Sequence, residues 1–100
     1  MEARVYVNVI RQGRHILVAS CDAELLGKTL KHGKICFEVR RNFYSGSLVH
    51  VDEAIRMIRK ATTANLVGTT IVEAAMKRGL VHPNAVLRIS GVPHAQFVKL

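Results

Sequence analysis

Cys21, Asp22 and His94 are the residues of this chain whose types could assemble a nucleophile, an orienting acid and a base. Cysteine–histidine catalysis needs the thiol and the imidazole within hydrogen-bond reach. The local settings point elsewhere. Cys21 closes a segment of alternating apolar residues, where a thiol is ordinarily core. Asp22 precedes a helix-like stretch and has a sufficient role as its N-cap. No catalytic residue is therefore assigned. Gly27-Lys28-Thr29 matches the end of a phosphate-binding loop, but that motif needs a glycine at position 22, which is aspartate. His15, His32, His50 and His82 each lie beside a turn or at an element end, which predicts surface or capping roles. Cys36 lies in another apolar-rich segment. No CxxC or HxxxH pair occurs, so neither a metal nor a cofactor is expected.

Charge carries a stronger signal. Fifteen Lys and Arg oppose seven Asp and Glu, a net +8. A small basic domain attracts polyanions, of which RNA is abundant in a cytosol. Lys28, Lys31 and Lys34 form one row of cations; Arg56, Arg59 and Lys60 form another at helical spacing. Between them Arg40-Arg41-Asn42-Phe43-Tyr44-Ser45-Gly46 couples paired arginines, suited to phosphate, with paired aromatics. An exposed ring there could stack a base. The opposing expectation is that one ring staples the segment to the core.

The elements that would position these residues follow from periodicity. Val5, Val7 and Val9 alternate with Tyr6, Asn8 and Ile10, the period of a strand. Gly13-Arg14 fits a two-residue type II′ turn into a second strand. Residues 22–33 read as a first helix with Leu25, Leu26 and Leu30 inward and Gly33 at its end. The cost of Gly27 inside it suggests that another backbone, or a ligand, passes close by. Residues 34–41 read as a third strand, residues 42–47 as a loop, and Leu48-Val49 as a short strand. Asp52 and Glu53 open a second helix with the stripe Ala54, Ile55, Ile58 and Ala61. Residues 62–69 read as a connection. Thr70 and Glu73 have capping-box spacing and open a third helix that Gly79 ends. Residues 85–90 and 95–100 read as final strands joined by Gly91-Val92-Pro93-His94. The order ββαβ-αα-ββ predicts one α+β domain over residues 1–100, an N-terminal hairpin and mixed sheet with about three helices packed on it.

The 100 residues are 49% hydrophobic, a globular composition. No apolar run approaches the roughly 20 residues of a membrane span. The first residues do not form a signal peptide, so a cytoplasmic location is expected.

Three blocks, VASCDAELLGKTL, ATTANLVG and ISGVPHAQF, resemble in order and spacing the archaeal family catalogued as domain of unknown function 424. The resemblance covers nearly the whole chain. Onto its pattern fall Cys21, Asp22, Leu26, Gly27 and Lys28, then Asn65 and Gly68, then Gly91, Pro93, His94 and Gln96. It implies a cytosolic protein of the information-processing kind, associated with RNA or translation, and assigns no residue a role. His94 and Gln96 should share a strand face. With Asn65 and Lys28 they would make one polar patch if the blocks converge.

The resulting expectation is an RNA-binding protein, a small archaeal ribosomal or ribosome-associated protein and not an enzyme. It would dock on ribosomal RNA beside neighbouring ribosomal proteins through Lys28, Lys31, Lys34, Arg40, Arg41, Phe43, Tyr44, Arg56, Arg59 and Lys60. The alternatives are an enzyme on RNA or a small anionic substrate using His94 with Cys21 or Lys28, and an adaptor whose basic face meets an acidic protein.

Overall fold

The computed structural model describes residues 3–99. Strands β1 (Arg4–Gln12) and β2 (His15–Asp22) form the expected hairpin. Gln12 pairs with His15 across Gly13-Arg14, and Gly13 takes φ +60°, as a type II′ turn requires. The hairpin belongs to a six-stranded sheet with β5 (Ser47–His50), β6 (Thr63–Val67), β7 (Leu87–Ile89) and β8 (Val92–Val98). Its order is β5-β1-β2-β6-β8-β7, with β2 and β6 parallel and every other neighbour antiparallel.

Alternation along these strands divides the buried residues between two faces. Val5, Val7, Val18, Ala64, Leu66 and Ala95 form one core beneath helices α2 (Val51–Arg59) and α3 (Thr69–Lys77). The predicted stripe Ala54, Ile55, Ile58 and Ala61 is buried there. Fully burying each such Ile or Leu contributes about 1.5–3 kcal/mol. Ala19, Cys21 and Val67 point the other way and meet Leu25, Val39 and Tyr44. That second core lies under strands β3 (Thr29–His32) and β4 (Ile35–Glu38) and the short helix α1 (Arg41–Tyr44). The chain is therefore α+β, with a layer on each side of one mixed sheet.

Several expectations require correction. Residues 22–33 are not a helix. After a 3-10 turn at Ala23–Leu25, Leu26 takes φ −59°, ψ 125° and Gly27 takes φ +82°. With the Lys28 amide bonded to the Leu25 carbonyl at 3.0 Å, Leu25–Lys28 is a type II turn whose third residue must be glycine. Gly33-Lys34 is then not a helix end but a second two-residue hairpin turn, joining His32 to Ile35. Residues 62–69 contain β6, a central strand, so Asn65 is a strand residue and not part of a helix connection. The last reversal is Ser90-Gly91, both at positive φ, which leaves Pro93 and His94 inside β8. The capping-box expectation for α3 also fails: its cap comes from Asp22. The loop at 42–47 holds part of α1, and Leu100, expected at the end of the last strand, lies outside the described residues.

Other terminal signals held. The Gly79 amide bonds Met76 O and the Leu80 amide bonds Ala75 O, a Schellman ending for α3. His50 Nδ1 accepts the Asp52 amide at the start of α2, and His82 Nδ1 accepts the Asn84 amide.

Candidate nucleic-acid interface

The three sequence blocks meet on adjacent strands. Cys21, Val67 and His94 stand opposite one another across β2, β6 and β8. Asp22, at the end of β2, accepts the Thr70 amide at 2.9 Å and the Ile71 amide at 3.0 Å, capping α3 from 48 residues away. A Cβ on Gly68 would lie 2.3 Å from the Asp22 carboxyl carbon, and Gly68 holds φ +121°. Only glycine lets the carboxylate reach the helix. The Gly68 amide also donates to Pro93 O at 2.9 Å, tying the third block to the second. Burial raises the Asp22 carboxyl above its usual range, against the lowering effect of the Thr70 and Ile71 amides.

This convergence is structural. Val67 separates Cys21 from His94, about 9–10 Å apart across two strand spacings. Burial, aided by Asp22 and Glu24, pushes the Cys21 thiol up to about 12, so it stays protonated and unreactive. The His94 ring packs against Phe37 of β4, with centroids 5.0 Å apart, and burial lowers its pKa. The geometry does not bring the Cys21 thiol to the His94 imidazole.

The polar patch forms in part. Asn8, Ala19, Asn65 and Gln96 lie in one cross-strand row on the side of the sheet opposite α2 and α3, one step from the row of Cys21, Val67 and His94. Asn8 Nδ2 donates to Phe43 O at 2.9 Å and anchors α1. The half-buried Asn65 carboxamide makes no hydrogen bond among the described residues. It opens into a cavity of about 390 Å³ lined by Phe37, Glu38, Arg40, Asn42, Phe43, Tyr44 and Asn65. A second cavity, of about 440 Å³, shares Glu38, Arg40 and Asn42 and extends to Gly27 and Arg41. One groove therefore has an aromatic and amide end and a cationic end. Lys28 lines neither cavity; its neighbour Gly27 lines the second.

A second backbone does pass Gly27, whose amide donates to Val39 O at 2.7 Å, and on the Cβ side the Arg41 guanidinium lies 3.0 Å from where a Cβ would sit. Arg40 Nε is 3.7 Å from Glu38 Oε1, an exposed and weak pair. Among the described residues Lys28, Lys31, Lys34 and Arg41 form no ion pair, so their charge is unneutralised. Phe43 is half-buried and meets Tyr44 edge-on at 5.0 Å; Tyr44, 3% exposed, is the ring that staples α1 and cannot stack on a ligand.

The ten predicted contacts do not share a surface. Arg56, Arg59 and Lys60 belong to α2 and its end, across the sheet from Arg40 and Arg41. Arg56 and Lys60 line a different cavity, about 370 Å³, with Arg11, Glu53 and an apolar floor of Val9, Ile16 and Met57. Phe37 and Asn42 were not anticipated as lining residues. Alternation groups Phe37 with Ile35 and Val39 on one side of β4 but does not say what that side meets; Ile35 is exposed and Val39 buried.

The chain is similar to a crystal structure of an uncharacterized conserved protein from Methanopyrus kandleri, at TM-score 0.83 and 28% identity, covering 98% of this chain and 95% of that one. No curated protein matches it. The family match is broader than any block: the chain belongs to the family described as Protein of unknown function (DUF424), whose model covers residues 10–100.

Proposed function

We propose that this protein binds RNA through the layer formed by β3, β4 and α1, as a small cytoplasmic ribosomal or ribosome-associated protein docking on ribosomal RNA. The observation that carries this reading is the groove that runs from Phe37, Phe43 and Asn65 to Arg40 and Arg41. Lys28, Lys31 and Lys34 lie on the same hairpin without ion-pair partners. Phosphates would sit on the cations and unstacked bases on the rings, the division of labour common in single-strand recognition. Arg56, Arg59 and Lys60, across the sheet, contribute attraction at long range and no contact to the same strand.

Filter binding of single-stranded RNA over a salt series tests this. Five phosphate contacts give a slope of log affinity against log salt of about −3 to −4. Binding that is negligible at low salt, or insensitive to salt, contradicts the proposal. Co-sedimentation with ribosomal subunits is expected to survive nuclease digestion of free RNA. A stoichiometric protein partner without RNA would support the adaptor alternative instead.

A further inference from the structure

We infer that the Phe37–Phe43–Asn65 cavity holds a single unstacked nucleobase, recognised through the Asn65 carboxamide. The inference rests on the RNA-binding reading and specifies its ligand.

The starting point is a residue that breaks a local rule. Asn is depleted in strands, yet Asn65 occupies the middle of the central strand β6. The neighbours in its row are Ala19 and Gln96, and none bonds its side chain. Asn8, in the same row, is explained by its bond to Phe43 O. Asn65 has no such structural duty. Its carboxamide presents an acceptor and two donors at the edge of a cavity with aromatic walls.

That combination matches the chemistry of a base. A nucleobase edge offers adjacent donors and acceptors that a carboxamide can pair in bidentate fashion, and its faces stack on phenyl rings. The cavity, about 390 Å³, is within the roughly 300–1,000 Å³ range of small-ligand sites. Glu38, Arg40 and Asn42 line both this cavity and its extension, where two arginines outnumber the Glu38 carboxylate, so a base in the first leaves its phosphate beside Arg40 and Arg41. The walls are held from behind. Phe37 leans on His94, and Phe43 leans on Tyr44 while its carbonyl is fixed by Asn8. A pocket whose rings are already positioned loses little entropy on binding.

The test compares three ligands on the intact chain: single-stranded RNA oligomers of each base, an abasic oligomer of equal length, and inorganic polyphosphate. The base-containing oligomers should bind about tenfold or more tightly than the abasic one, with a similar salt slope. One base should be preferred over the other three. Asn65→Ala, with its fold verified by an unchanged denaturation midpoint, should abolish that preference and leave abasic binding unaltered. Asn65→Gln serves as a second variant that retains the amide and shifts the preference. Equal affinity for RNA and abasic oligomer with a normal salt slope overturns the base pocket while leaving RNA binding intact. A base preference that persists in Asn65→Ala overturns the role of Asn65. Failure of every oligomer to bind at low salt overturns the RNA-binding reading and the pocket with it.

Discussion

At the scale of single residues, the Asp22–Gly68 contact is the most constrained feature of the chain. Asp22→Ala removes a buried cap and two charge-assisted bonds, and should cost about 2–3 kcal/mol in urea unfolding. Gly68→Ala adds a Cβ against the same carboxylate at a φ unsuited to alanine, with a cost of similar size. The double variant should cost less than the two together, because removing the carboxylate removes the clash; strict additivity would show that the contact is not shared. The cysteines should differ sharply. Exposed Cys36 reacts with a thiol reagent in the native protein, whereas buried Cys21 reacts only on unfolding. Two equivalents modified natively would contradict the buried, protonated thiol. His94 contributes a pH dependence of known sign. Its folded pKa lies below the ordinary 6.5, so its contribution is complete above about pH 6.5 and is lost as pH falls through the folded value. Asp22, raised above 3.8, acts in the opposite sense: its contribution is full below about 3.8 and declines as pH rises through its folded value. His94→Gln should therefore flatten the loss of stability on mild acidification; an unchanged profile would assign that loss elsewhere.

At the scale of elements, the same signal was read correctly once and missed once. Gln12-Gly13-Arg14-His15 follows a clean two-residue alternation, so its turn is legible. His32-Gly33-Lys34-Ile35 is an equivalent turn, but the acids and leucines before it mimic a capped helix. The type II turn at Leu26-Gly27 decides against that helix, supported by Leu25 and Leu30 packing under β4 from a non-helical backbone. Strand β6 was illegible for a different reason. It is short, and the polar Thr63 and Asn65 disguise it as a connection. The cap of α3 could not be read locally because the carboxylate that accepts its first amides is 48 residues away. The site was legible in composition, through Arg40 to Phe43 and Asn65, but its assembly depends on the missed hairpin, which supplies Phe37. Gly33 offers a clean check. Nothing lies near its Cβ position, so Gly33→Ala should cost only the backbone strain of a positive φ, about 1–2 kcal/mol in urea unfolding. An unchanged midpoint would mean that the turn does not need a positive φ at residue 33.

At the scale of the whole molecule, the sheet separates two basic regions with different surroundings. The α2 cations flank an apolar-floored cleft that includes Glu53, while Arg40 on the other side adjoins Glu38, aromatic rings and an unpaired amide. Beyond the Asn65 row the sheet remains open, with Ile10 41% and Val98 60% exposed. Among the described residues no helix is long and apolar enough to cross a membrane. A net charge of +8 draws RNA to the molecule as a whole; the proposal is that only one side holds it. The decisive measurement is single-stranded RNA affinity over a salt series for the parent chain, Arg40→Ala/Arg41→Ala and Arg56→Ala/Arg59→Ala, each with its fold verified. The account predicts that the first pair weakens binding about tenfold or more and reduces the salt slope by about 1.4, the value for two phosphate contacts, while the second stays within about threefold of the parent. Loss confined to the Arg56/Arg59 variant, or equal small losses in both, would contradict it.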